Sequence, residues 1–190
     1  NLEKEEKHLK EIVSAAPSRI ELNVRLKEVR KEIREQRFAK VIDAGLANID
    51  KRILIPAQGN LKTARLIYKD RAETKLLAKK VANLQLELEV EKLVHEAQSA
   101  SQSDDWITAE SLYLKAGKIQ QNHIQVVEGY ALSKKINALN NQLSRHIQAP
   151  HRLSANNVAE IVRKLVVKAE TVSTKSPAIS MKTAELSKLL

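Results

Sequence analysis

The chain has no cysteine, and only four glycines and four prolines in 190 residues. The first absence excludes a disulfide framework, a thiol nucleophile and a thiolate metal site. The scarcity of glycine and proline argues against the closely spaced turns of sandwiches and barrels, and leaves no glycine-rich loop to cradle a phosphate. Aromatic residues are also few, one Trp, three Tyr and one Phe, so a base-stacking surface is not expected. No apolar run approaches the roughly 20 residues that span a bilayer, so no membrane insertion is expected within this segment. No block of five like charges occurs, which removes a basic or acidic arm.

Leu, Ala, Lys, Glu, Ile and Gln fill the space, and 43% of residues are hydrophobic, enough to build a core. These are good helix formers, and the fold class is expected to be all-α. The formal charge is +10, from 33 basic and 23 acidic residues. It is spread thinly: +3 over residues 1 to 52, +3 over 53 to 92, zero over 93 to 148 and +4 over 149 to 190.

Leu2, Leu9, Ile12, Val13 and Ala16 form a loose heptad seam that breaks at Pro17. Ser18 and Glu21 have the form of a capping box, after which Leu22, Leu26, Val29 and Ile33 recur at spacings of a buried helical stripe. The apolar stripe then changes phase to Phe38, Val41, Ile42, Gly45, Leu46, Ile49 and Ile53, which predicts a kink or a new helix near Arg37. Pro56 to Gly59 predicts a break, with Asn60 as the next N-cap. Residues 73 to about 100 carry two stripes, one of Leu77, Val81, Leu84 and Leu88 and the other of Leu86, Val90, Leu93 and Ala97. Asp104 and Asp105 predict a helix start. That helix is expected to end near Lys118, and the next to run from Ile124 to Ile147 with Val127, Ala131, Leu132, Ile136, Leu139 and Leu143 inward. A strongly amphipathic helix follows Ser154, with Val158, Ile161, Val162, Leu165, Val166, Ala169 and Val172 on one face. Ser176 before Pro177 predicts the cap of a last helix.

Thr63, Ala64 and Tyr68 in GNLKTARLIYKD fall on Thr108, Ala109 and Tyr113 in DDWITAESLYLKA, 45 residues later. In the second of these units Leu93 and Ala97 precede Ala109, Tyr113 and Ala116; in the first, a helix around Gly45 precedes Ala64 and Tyr68. This succession of large, small and then small-aromatic-small residues on paired helices resembles the tetratricopeptide family, with about two divergent units in residues 41 to 135. Arg71 and Gly117 stand where that family prefers alanine, and the first unit carries extra residues through Ile53 to Gly59. The segment looks like variant repeats of bacterial envelope proteins.

The resemblance implies a short array of stacked helix-turn-helix units: an N-terminal hairpin over residues 1 to 36, repeats over 37 to 148 and capping helices over 149 to 190, in one continuous helical structure. It implies a scaffold that holds a protein or peptide partner and belongs to a larger bacterial envelope protein, a periplasmic part favoured over a cytoplasmic one. The partner-facing residues it implies are Glu91, Val94, Gln98 and Ser101, at spacings of three, four and three.

No catalytic, cofactor or metal site is expected. His95 lacks a second histidine four residues on, and the Asp104 and Asp105 pair is explained as a helix start. Two alternatives stand beside the scaffold. Lys27, Arg30, Lys31, Arg34 and Arg37 lie close together on one helix and could track a phosphate backbone, giving a salt-dependent nucleic-acid binder. Residues 2 to 35 could instead form a coiled-coil stalk that makes a homodimer.

Overall fold

The computed structural model describes all 190 residues. It is all-α, with eight helices, a 3₁₀ turn over Pro150–Ser154 and no strand. No helix is long and apolar enough to cross a membrane. The chain divides into two compact units, Asn1–Glu87 and Leu88–Leu190.

The first unit holds α1 (Leu2–Ala15), α2 (Ile20–Asp50), α3 (Leu54–Ile67) and the opening part of α4 (Ala72–Gln102). The hairpin of α1 on α2 encloses Leu9, Leu26, Val29 and Ile33. The expected capping box is not made: α2 is capped by Arg19 without a side-chain bond, and Asn23 Nδ2 donates to the carbonyls of Pro17 and Arg19 instead. No new helix begins near Arg37, because α2 runs unbroken for 31 residues. The change of stripe is real but falls within one helix. The first half of α2 buries its stripe against α1, while Phe38 and Ile42 bury theirs with Ala57, Leu61 and Ala64 of α3.

Nor do Pro56 to Gly59 break the chain. Pro56 sits in the first turn of α3, where backbone N–H groups have no helical partner to lose, and Asn60 lies inside the helix, accepting a 2.9 Å bond from Asn48 of α2. The break comes earlier, at Arg52, whose φ of 58° places a non-glycine residue in the left-handed region. Arg52 N–H donates to Ile49 and Ile53 N–H to Asn48, a Schellman closure made without glycine.

The second unit takes the rest of α4, then α5 (Trp106–Ile119), α6 (Ile124–Ile147), α7 (Asn156–Ser173) and α8 (Pro177–Leu189). Asp105 caps α5 by accepting from Thr108 N–H, and Ser176 caps α8 by accepting from Ile179 N–H, both at predicted starts. Val90, Val94, Ala97, Ala109, Tyr113, Ala116 and Val126 make one core, and α6, α7 and α8 close a second around Ile136, Leu139, Leu143, Val162, Ala169 and Ile179. Five residues read as core face solvent: Ile53, Leu86, Val127, Ala131 and Ile161 are all exposed. On α6 the buried set is Val126, Ser133, Ile136, Leu139 and Leu143, rotated by one residue at its start from the expected face.

The chain does repeat, but at a different spacing. α2 and α4 are both 31 residues, α3 and α5 both 14, and each member of the second pair begins 52 residues after its counterpart. Asp104, 52 residues after Arg52, has φ 61°, and its closure reproduces the first, with Asp104 N–H on Ser101 and Asp105 N–H on Ala100. Phe38, Ile42, Ala57, Leu61 and Ala64 are answered by Val90, Val94, Ala109, Tyr113 and Ala116. The 45-residue register is therefore overturned. It pairs Tyr68, the C-cap of α3, with Tyr113, which lies inside α5. The two registers differ by seven residues, nearly two helical turns, so both keep the same face in phase.

Candidate interaction surfaces

The four residues implied as partner-facing do not form one surface. Val94 is 4% exposed and packs with Val90, Ala97, Ala109 and Tyr113, because the alanines of α5 let α4 approach along that stripe. Gln98 and Ser101 line a cleft of about 240 Å³ with Trp106, Tyr113, Gly129 and Leu132. Their counterparts 52 residues earlier are Leu46 and Ile49, both packed on the first core, so polar residues here open what the first hairpin closes. Glu91 is exposed on α4 outside this cleft.

The five cations of α2 are placed among acids. Glu6 of α1 pairs with Arg30 at 3.0 Å and Glu3 with Arg37 at 3.1 Å, while Lys31 lines a shallow cleft with Glu28, Glu32 and Glu35. Arg25, not singled out in the sequence, binds Glu5, Glu28 and Glu32. Lys27 is exposed. Arg30, Arg34 and Arg37 line a cleft of about 540 Å³ with Glu6, Ile33, Leu66 and Ile67. Solvated pairs of this kind are weak, since water screens them. They join α1 to α2 and neutralise two of the three arginines that would have faced a phosphate backbone.

Arg71, read as a departure from the tetratricopeptide pattern, organises a small polar cluster. Its guanidinium forms a bidentate pair with Glu35 and lies 3.7 Å from the Tyr68 ring centroid, while Tyr68 Oη donates to Glu35 at 2.9 Å. Phe38 meets Tyr68 edge to face at 5.2 Å. Arg71 and Tyr68 together hold the Glu35 carboxyl at a pKa of about 2, below its ordinary 4.5. Burial, and then the Glu35 hydrogen bond, raise the Tyr68 pKa, so the phenol stays protonated and keeps donating. At the positions 52 residues later stand Glu87, Gln120 and His123, and Glu87 pairs with Arg52 instead. The cluster is thus a clamp of the α3 to α4 connection onto α2.

Because the folded pKa of Glu35 is depressed, its contribution to stability is complete above about pH 4.5 and is lost as pH falls toward about 2. Urea unfolding followed by circular dichroism should show Glu35→Gln less stable than wild type at pH 6, with the gap closing between pH 4.5 and 2. A gap independent of pH would exclude this linkage.

Between α5 and α6 lies a groove of about 410 Å³ that the sequence reading missed. Leu114, Val126, Val127, Tyr130 and Ala131 supply an apolar lining, with Tyr113 behind it and Lys118 and Gln121 at the edge. Gly117 lacks a side chain to fill the trough. Val127 and Ala131 had been placed in the core. The signal was available: α6 has more apolar positions than one buried face accommodates, and the surplus lines this groove. No protein-family model, curated protein or solved structure matches the chain.

Proposed function

We propose that the protein is a non-catalytic scaffold of the helical-repeat kind, and that the groove between α5 and α6 holds a segment of a protein partner. The groove carries the reading: Leu114 and Val127 are 46% and 52% exposed on its two walls, across a trough left open by Gly117. Packed helix pairs present such troughs to amphipathic helices, which insert residues at spacings of three and four. Lys118 lies in the lining, Lys134 stands 5.7 Å from the Tyr130 ring centroid, and Lys115 is exposed one turn from Lys118. An apolar ridge flanked by carboxylates is the complementary partner. The small-aromatic-small order of Ala109, Tyr113 and Ala116, which resembles tetratricopeptide units, supports the same reading, although the hairpins recur at 52 residues where that family's units take 34.

The test compares capture of a lysate protein by wild type, by Leu114→Glu/Val127→Glu, and by Met181→Glu on exposed α8. A partner held by wild type and Met181→Glu should be reduced at least tenfold by the groove pair, with all three equally helical. Capture that survives the groove pair would place the partner elsewhere, and capture by none would remove the scaffold reading.

A further inference from the structure

The same seam has a different character in the first hairpin. Counted back 52 residues, Leu114, Gly117, Gln121, Val127 and Ala131 become Lys62, Arg65, Lys69, Lys75 and Lys79. All five are exposed, and none is in an ion pair or a side-chain hydrogen bond. Along α3, Lys62, Arg65 and Lys69 follow one another at spacings of three and four from within the helix to just beyond its end; along α4, Lys75 and Lys79 lie one turn apart. The bond from Gln58 Nε2 to Gln85 Oε1 pairs the two helices antiparallel and sets Lys62 and Arg65 opposite Ala82 and Ala78. α3 contains no acidic residue; the one acid in the turn that follows it is Asp70, exposed beside Lys69. In α4 up to the end of the unit the acids are Glu73, on the side away from Lys75, and Glu87, which Arg52 holds at 3.2 Å.

We infer that this seam of α3 and the opening part of α4 binds the phosphate backbone of a nucleic-acid duplex. Like charges so close repel one another, and the second hairpin closes on the same helix lengths without them, so the fold does not require cations here. The first unit carries 20 basic and 13 acidic residues, but the excess is effective where the cations are not ion-paired, and α2 is not such a place. Apart from Leu66, exposed beside Arg65, the seam offers a peptide no large apolar side chain to bind, and no aromatic ring lies along it for a base to stack upon. Regularly spaced charge is what remains to be recognised. Lys62 to Lys69 spans about 10 Å of helix, and duplex DNA carries one charge per about 1.7 Å of axis, enough to engage all five cations. The contact is sequence-independent, and it stands whether or not the α5 and α6 groove holds a protein.

Fluorescence anisotropy with a labelled 20-base-pair random duplex, from 50 to 200 mM salt, tests it on the full chain. Five neutralised phosphates give a slope of log K on log salt of about −4.5, a loss of about 500-fold over that range. Lys62→Gln/Arg65→Gln/Lys69→Gln should reduce the slope to about −1.8 and the loss to about 12-fold. Lys164→Gln/Lys168→Gln/Lys188→Gln, on exposed sites of the second unit, should keep the wild-type slope. Equal falls in both triple variants would mean general charge attraction and overturn the assignment, as would no binding at 50 mM. Tighter binding of a single strand would overturn the duplex as ligand. Displacement by polyglutamate at equal charge concentration would give the seam to an acidic protein segment and overturn it too.

Discussion

Replacing Gly129 by alanine should destabilise the second unit by about 2 to 3 kcal/mol, although alanine is the better helix former by about 1 kcal/mol. A Cβ at this position would lie 2.3 to 2.6 Å from three atoms of the Tyr113 ring. That ring is 5% exposed and packs in one core with Val94, Ala97 and Val126, so relieving the clash displaces it from that packing. The first hairpin shows the alternative solution, with Leu61 in place of tyrosine and Leu77 in place of glycine, both buried in one cluster. Volume lost on one helix is regained on the other. Tyr113→Leu should therefore relieve Gly129→Ala, leaving the double variant at least about 1 kcal/mol more stable than the sum of the single losses requires. Trp106 is the only tryptophan and lies in this unit, so its fluorescence in urea reports the transition. Additive losses would show that the ring and the glycine are not coupled.

Trp106→Ala should cost more, about 3 to 5 kcal/mol. The indole is 7% exposed at the first turn of α5 and belongs to the core that α6, α7 and α8 close around Leu139, Leu143 and Ile179. Its Nε1 donates to Asp104 Oδ1 at 2.6 Å, while the other oxygen of Asp104 accepts from Ala178 N–H of α8 at 2.8 Å. Asp104 thus joins the start of α5 to the start of α8 from a left-handed backbone. Burial acts to raise its pKa, but hydrogen bonds from Ser176, Ala178 and Trp106 together hold it below the ordinary value. Trp106→Phe keeps most of the ring and loses the bond, for about 1 to 2 kcal/mol. Asp104→Asn tolerates the backbone and keeps one acceptor, so it should be milder than Asp104→Ala. Circular dichroism in urea measures all four variants. A loss below about 1 kcal/mol for Trp106→Ala would exclude the indole as the anchor of α5.

Local chemistry was read correctly at three helix ends and misread at Ser18 and Asn60, which cap no helix. Asp105 and Ser176 cap helices because their short side chains reach the next free N–H groups, and Pro17 ends α1 because it cannot continue the turn. The Schellman closures were missed because they use Arg52 and Asp104, and the usual marker, glycine, is absent from both. Pro56 and Gly59 have the residue types of a break, yet a first helical turn and an open helix face accommodate them without one. The true register was also written in the chain: Ile55, Ala57, Ala64 and Ile67 recur as Ile107, Ala109, Ala116 and Ile119. It went unseen because Ile55 and Ile107 are 81% and 75% exposed, outside any apolar stripe, while the tyrosines drew the comparison to 45.

By itself the sequence determined an all-α chain, the positions of most helix ends, and which stripes are apolar, since propensity, capping and periodicity act over a few residues. Only the tertiary structure decided which of several apolar or charged faces is covered. Val94 is buried and Val127 exposed because the alanines of α5 admit one neighbour and not another, and Arg30 is paired while Lys62 is not because α1 brings acids to α2 and nothing brings them to α3. Burial and charge neutralisation depend on partners distant in sequence, so the surfaces that bear on function emerged only with the fold.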